Sequence, residues 1–391
     1  MGKQEIVAMG DRAGVLAATR ARKMARSQHA YVRGSTVKFY EWLAVSRGVI
    51  PDGPSVWICG DCHLGNLGPL ADANGRVDIQ IRDLDQTVIG NPAHDIIRLA
   101  LSLAAAARGF DLPGATTARM IEAIVAGYVA GLNGGGSDEQ PPAIGKLLKA
   151  ASRRKWRDLA TERIGDASPV IPLGSRYWPM ADDERRALGD LLSSDAVAAA
   201  WRGFAGGNPD AQVTLLDAAY WMKGCSSLGR LRYAAIARLG DGPPALLDLK
   251  EATKAAAPRD TKAEMPRDNA VRVVTGARAL SPNLGDRMIA ARLGDTPVVI
   301  RELMPQDLKT EIDHLTPDEA QAVAGALATV VGQAHGRQLD ANVRREWAAD
   351  LARAHSKSLD APSWLWTSVV DLVGVHEMAY LDHCRRALLA A

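Results

Sequence analysis

Apolar and polar positions along this chain follow two rhythms, one of helical period and one of period two. Residues 15–48 place apolar positions at helical spacing among basic ones, with a break at "YVRGS" (31–35). "SVWIC" (55–59) predicts a short apolar strand that runs into a loop. After a turn at "ADANG" (71–75), "RVDIQIRDLD" (76–85) alternates over one strand. Residues 93–107 and 116–132 read as buried helices, and "NGGGSDEQPP" (133–142) as an exposed connector. Helical sequence rich in Arg and Ala continues to about 204, where "AGGNPDA" (205–211) reads as a linker.

Beyond that linker the period shortens. "DAAYWMK" (217–223) and "RLRYAAIARL" (230–239) predict strands joined by "GCSSLG" (224–229), and "GDGPP" turns the chain into a third strand, "ALLDLKEA" (245–252). A helix is expected near 267–280, then a hairpin turning at Gly294-Asp295, then helices over 317–335, 343–356 and 363–387. This yields an α+β expectation with four segments: an N-terminal helical extension (1–50), a helical lobe (51–205), a β-rich lobe (206–312) and C-terminal helices completing the helical lobe (313–391).

Composition narrows the function classes. The chain has 391 residues, enough for two lobes, and 47% apolar and 24% charged residues are ordinary for a globular protein. A net charge of +2 gives no whole-molecule field for nucleic acid or an anionic membrane surface, so neither is expected as a partner. The run Arg153, Arg154, Lys155 and Arg157 reads as a solvated helix face, with contact to a phosphate-bearing substrate as the other possibility. No apolar run is long enough for a membrane span and no signal-peptide core opens the chain, so a cytoplasmic location is expected. Cys59 and Cys62 form a C-x-x-C, but no second ligand pair exists for a zinc site, and the loop position does not suit a helix-starting dithiol. Small buried thiols are expected.

The candidate chemistry sits where the first strand stops. Asp61, His63 and Asn66 are packed between glycines in "GDCHLGN". A metallophosphoesterase would need further His and Asp ligands from later loops, and the eight histidines are scattered. A phosphoryl-transfer loop needs an Asp to accept a hydroxyl proton, an Asn five positions on, and a second metal-binding Asp at a nearby strand end. Asp83 is at such an end. Taken singly these residues have plainer uses: Asp61 and Asn66 in a turn, His63 as a loop hydrogen-bonder.

"GDCHLGN" followed by "IRDLDQTVIGNPAHDIIRLA" resembles the small-molecule kinases of the protein-kinase-like fold, the aminoglycoside and choline phosphotransferases. The resemblance implies ATP and Mg2+, with Asp61 as catalytic base, Asn66 and Asp83 as metal ligands, Asp85 as the second acidic position and Asp95 as a buried helix-start carboxylate. Cys59 departs from the pattern, occupying the place of its usual His, and His63 is a candidate for part of that role. "YVRG", "RDLDQT", "KGCSSLGRLRY", "DLKEA", "RVVTGARAL" and "AHGR" are similar to the domain of unknown function 2252 family over most of the chain.

A kinase also needs a phosphate-binding half. Gly224, Ser226, Ser227 and Gly229 form a glycine-rich turn whose backbone amides suit phosphate, and Lys250 on the third strand is the candidate phosphate clamp. Neither Glu251, Glu264 nor Asp268 is assignable as its carboxylate partner. Arg272 and Arg278 on the next helix are expected either at phosphate or in solvent. Glu302 and Leu303 occupy the position of a hinge that reads adenine through its backbone. Because the catalytic loop precedes the glycine-rich turn, a circular permutation is expected, with Lys250 approaching Asp83 and residues near His335 lying close to 55–59. The function expected is an ATP- and Mg2+-dependent phosphotransferase acting on an unidentified hydroxyl-bearing acceptor. The alternatives are a nucleotide-binding regulatory module and nucleotidyl transfer on the same fold.

Overall fold

A computed structural model describes residue 7 and residues 9–46, 50–109, 112–136, 140–164, 169–205, 210–225, 228–308, 315–353 and 362–389. It is a mixed α and β structure in which every strand pairing is antiparallel. Helices α1 (Arg12–Met24), α2 (Gln28–Gly34) and α3 (Thr36–Val45) come first. Strand β1 (Val56–Ile58) leads into the Asp61 loop, and β2 (Leu67–Ala71) with β3 (Val77–Ile81) forms a hairpin closed by the "ADANG" turn. β4 (Val88–Gly90) returns to pair with β1. The sequence pattern shows only the second arm of the hairpin, because Gly68 and Pro69 interrupt the first.

Helices α4 (Ala93–Gly109), α5 (Gly114–Leu132), α6 (Pro142–Ser152) and α7 (Trp156–Ile164) follow, then β5 (Tyr177–Trp178), α8 (Asp182–Ser193) and α9 (Asp195–Ala205). Next come β6 (Val213–Trp221), β7 (Arg232–Leu239) and β8 (Pro244–Glu251), then α10 (Asn269–Leu280) and the single turn α11 (Pro282–Gly285). β9 (Met288–Leu293) and β10 (Thr296–Leu303) form the second hairpin, where Gly294 takes φ +57° in the two-residue turn. α12 (Pro317–Gly336), α13 (Ala341–Ala352) and α14 (Ser363–Leu389) end the chain. α12 opens with a capping box between Thr316 and Glu319, so its start is written locally.

The large sheet runs β5-β6-β7-β8-β10-β9. Period-two alternation divides its side chains between two cores. Tyr233, Ala235, Leu247 and Leu249 pack with α8, α9 and Leu16 of α1, whereas Ala234, Ile236, Leu246 and Leu303 pack with α7. Packing therefore places α8 and α9 on the sheet, although their composition groups them with the helices before them. The third core joins α3, α4, α5 and α12 to β1–β3 and extends to α10.

The helical core is organised by one close crossing. A Cβ on Gly131 of α5 would lie 2.1 Å from the Thr329 carbonyl, and one on Gly332 of α12 would lie 2.1 Å from the Tyr128 carbonyl. Only hydrogen side chains permit that approach. The crossing delivers the C-terminal end of α12 to β1: Gln338, two residues past the helix, accepts the Trp57 amide on Oε1 at 2.8 Å and donates through Nε2 to the Trp57 carbonyl at 3.0 Å.

Candidate functional site

The loop after β1 is built on glycine and a buried carboxylate. Gly60 takes φ +74°, and a Cβ there would meet the Gln86 carbonyl at 2.2 Å, so no other residue fits. Asp95, in the first turn of α4, does not cap its own helix. Its carboxylate accepts the amides of Cys59 and Gly60 at 2.6 and 2.9 Å, and approaches His335 Nε2 at 3.2 Å. The donor inventory sets the proton order. Trp347 Nε1 only donates, and it donates to the Tyr128 hydroxyl at 3.2 Å, which passes its own proton to His335 Nδ1 at 3.0 Å. His335 then presents Nε2–H to Asp95. A relay from α13 through α5 and α12 thereby holds the loop backbone. Cys59, at the departure from the kinase pattern, fills space beneath it and donates through Sγ to the Asp83 carbonyl at 3.6 Å. Cys59 and Cys62 are free thiols, both fully buried, and contact with Cys62 together with burial pushes the Cys59 thiol well up.

The loop's side chains diverge. Asp61 points inward: Oδ1 accepts from Arg98 Nε at 2.9 Å and Oδ2 from the Thr36 hydroxyl at 2.8 Å, with 10% of the side chain exposed. Burial raises its carboxyl, and Arg98 and Thr36 work against that rise. Asn66 donates to the Asp61 carbonyl at 2.9 Å, closing the loop, and lines the cleft together with His63. His63 is buried, and burial with Arg33 and Arg98 pushes its imidazole well down, so it is neutral near pH 7.

Asp83 and Asp85 follow β3 and face the sheet. Lys250 Nζ lies 3.5 Å from Asp83, 167 residues away in sequence, and also pairs with Asp85. These are the carboxylate partners that sequence reasoning left unassigned. Asp83 keeps 48% of its side chain exposed, against 10% for Asp61, so Asp83 is the acidic group that the cleft presents. Desolvation raises the Asp83 carboxyl, but Lys250 and Arg232 outweigh it and hold the group well below its usual range. Burial and the neighbouring Asp83 raise Asp85.

Strand parity supplies the other wall. Residues 248 and 250 share a face of β8, and the register sets Arg232 opposite Lys250 and Arg301 opposite Asp248. Asp248 is bound by Arg232 at 2.8 and 2.5 Å and by Lys223 at 3.3 Å. Two adjoining cavities of about 70 and 200 Å³ share Arg82, Asp83, Arg232, Asp248 and Arg301. Around both, seven cationic side chains (Arg33, Arg82, Arg163, Lys223, Arg232, Lys250 and Arg301) face three carboxylates, Asp83, Asp85 and Asp248. The excess charge has consequences inside the protein. Burial, with Arg301 beside it, lowers Arg82 to about 10, and burial pushes Lys223 well down despite Asp248.

The remaining expected site residues separate into three groups. Gly224, at φ +98°, lines the larger cavity, and Gly229, at φ +101°, does not. Ser226 and Ser227 lie outside the described residues. Glu302 and Leu303, expected to read adenine through the backbone, line neither cavity. The Glu302 amide donates to the Arg287 carbonyl at 3.4 Å and its carbonyl accepts from Arg287 Nη1 at 2.8 Å, so both groups are already in use. Leu303 packs in the α7-side core. Arg272 contacts neither cavity's anionic side; it donates to the carbonyls of Asp85 at 3.1 Å, Thr253 at 2.9 Å and Thr87, pinning the metal-loop candidate to α10.

Sequence reasoning missed Arg33, Arg82, Arg163, Lys223, Arg232, Asp248 and Arg301. The legible signal was "LDLK": two charges two apart on one face of an apolar strand require partners from the neighbouring strands. No curated protein and no solved structure matches this chain. The model of a family described as an uncharacterized protein conserved in bacteria (DUF2252) matches residues 12–386, nearly the whole length, and the chain belongs to that family.

Proposed function

We propose that this chain is an ATP- and Mg2+-dependent phosphotransferase acting on the hydroxyl of a small molecule, with a circularly permuted, two-lobed kinase-like architecture. The observation that carries this reading is the meeting of Lys250 on β8 with Asp83 and Asp85 after β3 in one charged cleft. Chain order supports it. The β6–β7 hairpin, lysine strand, α10 and second hairpin follow the order of a kinase's smaller lobe, and the Asp61 loop, Asp83 and Asp95 follow that of its larger lobe. The approach of the end of α12 to β1 through Gln338, with His335 set against Asp95 of α4, supports the permutation, since a cut there leaves its two ends adjacent.

The donor set suits the proposed groups. Magnesium takes one or two carboxylates together with nucleotide phosphates, and Asp83, Asp85 and the Asn66 amide oxygen are hard oxygen donors of that kind. Bound there, the ion would neutralise phosphate charge. Lys250 would leave its carboxylates to clamp phosphate. Two guanidinium nitrogens that line both cavities, the Nε atoms of Arg82 and Arg301, are buried with no hydrogen-bond partner among the described residues and suit a polyanion. His63, neutral and facing the cleft, would accept the acceptor's proton, with Asp61 behind it orienting Arg98 and Thr36.

One observation favours a second reading, a nucleotide-binding module without transfer: the Asp61 carboxylate is already engaged on both oxygens. Incubation with γ-labelled and α-labelled ATP over a panel of hydroxyl-bearing metabolites separates the readings. Transfer of the γ label is the expected result. Transfer of the α label means nucleotidyl chemistry, and binding without transfer of either means a module.

A further inference from the structure

The two ends of the cleft differ in charge. At the Lys250 end one lysine meets two carboxylates. The other end, a cavity of about 200 Å³, is walled by Arg33 from α2, Arg163 from the last turn of α7, Arg82, Lys223 and His63, and its cations outnumber its two carboxylates, Asp83 and Asp248. Lys223 shares its one carboxylate, Asp248, with Arg232. Arg163 pairs with its chain neighbour Glu162, which does not line the cavity. Arg33 and Arg82 have no ion-pair partner among the described residues. The Nε atoms of Arg33, Arg82 and Arg163 and Nδ1 of His63 are buried with no hydrogen-bond partner among the described residues. His63 is 5% exposed and lines this cavity.

Partly buried cations in excess of their counter-charge are costly, and donors left unmade add to the cost. An anion removes both costs. The donors converge from two helices (Arg33, Arg163) and from the chain just after β3 (Arg82) and β6 (Lys223), which suits a tetrahedral group offering acceptors on several sides better than a planar carboxylate offering two. Their position also sets them apart from the nucleotide half. A Cβ on Gly65 would lie 2.9 Å from the Arg33 guanidinium, so Arg33 rests on the loop between His63 and Asn66, on the acceptor's side. The volume is below the roughly 300–1,000 Å³ of sites for larger ligands.

We propose that this end of the cleft binds a phosphate group carried by the acceptor, so that the substrate is a small phosphomonoester with a free hydroxyl. The inference rests on the phosphotransferase reading. In the reaction the acceptor oxygen forms a bond to the γ-phosphorus of ATP and the bond from that phosphorus to the bridging oxygen breaks. ADP departs with the electron pair, the hydroxyl proton passes to His63, and the product is a bisphosphorylated molecule.

The test is calorimetric titration of inorganic phosphate into the full chain, with and without a saturating magnesium complex of a non-hydrolysable ATP analogue. Phosphate is expected to bind in both states. Arg33→Gln and Arg163→Gln should each weaken phosphate about ten-fold, the scale of one lost charge-assisted hydrogen bond, while shifting analogue affinity less than about two-fold. Lys250→Met should do the reverse. Circular dichroism and thermal melts identify any variant that fails to fold, and the two arginine variants act from different helices. Strict competition between phosphate and the analogue, with Arg33→Gln weakening both, would show that the basic end seats the triphosphate and overturn the proposal. Absence of phosphate binding to the folded wild type would overturn it too. Arginine-dependent phosphate binding without any analogue binding would instead sink the phosphotransferase reading while leaving an anion site.

Discussion

Asp61 and Asp83 both follow a strand, yet their surroundings assign them opposite liabilities. Arg98 is fully buried beneath Asp61, and its only carboxylate partner among the described residues is Asp61. Removing one partner of a buried pair strands the other, which typically costs about 3–5 kcal/mol. Asp61→Asn is therefore expected to lower unfolding stability by that order in urea titrations, where a purely catalytic residue would leave it unchanged. Asp83 is half exposed and its cation, Lys250, retains Asp85. Asp83→Asn should leave the urea midpoint nearly unmoved and abolish the magnesium dependence of nucleotide binding. If calorimetry finds that dependence intact in Asp83→Asn, Asp83 is not a metal ligand.

Among elements, α5 and α12 carry the connection between helical packing and the loop. Their crossing positions His335 against Asp95, and Asp95 holds the Cys59 and Gly60 amides. Gly332→Ala drives a methyl group into the Tyr128 carbonyl at 2.1 Å, which only separation of the helices relieves. A loss of about 1–3 kcal/mol is expected, as for overpacking elsewhere. Gly145→Ala in α6 meets nothing within 4 Å and should stabilise by about 0.5–1 kcal/mol through helix propensity alone. Equal effects of the two substitutions in chemical denaturation would remove the crossing from this account. Elements were legible where their signals are local: α4, α5, α10 and α12 and the Gly294 hairpin stand close to where periodicity places them. β2 was not, since its pairing with β3 and not its own sequence makes it a strand.

For the molecule as a whole, burial sets the response to acid. His376 and His94 are both pushed down to about 4, chiefly by burial, from an ordinary 6.5. His376 shows the cause: Nδ1–H donates to the Leu372 carbonyl at 3.0 Å, while Nε2 is buried with no partner among the described residues. The unfolded chain binds protons at these histidines at higher pH than the folded chain does. Their stabilisation is thus complete above about 6.5 and is lost as pH falls toward 4, at up to about 1.4 kcal/mol per pH unit for each histidine. His376→Leu should flatten the decline of stability between pH 6.5 and pH 4 measured by denaturant titration. A slope equal to that of the wild type would show that His376 does not contribute.

The sequence by itself determined most helices, the strands of the two hairpins beyond residue 212, and the chemical identity of Asp61, Asn66, Asp83 and Lys250 as a candidate set. Each of these is written over a few neighbouring residues, as a period, a cap or a spacing. The tertiary structure alone decided which of the set face one another. Asp61 turns inward because Arg98, one turn along α4 from Asp95, arrives buried beneath it, and Asp83 turns outward because Lys250 reaches it across 167 residues. It also decided that Arg33, Arg163 and Lys223, unremarkable in their own segments, converge on one cavity. Local periodicity carries no information about such meetings, because charge accumulates in a cleft through pairings between distant segments that no single segment encodes.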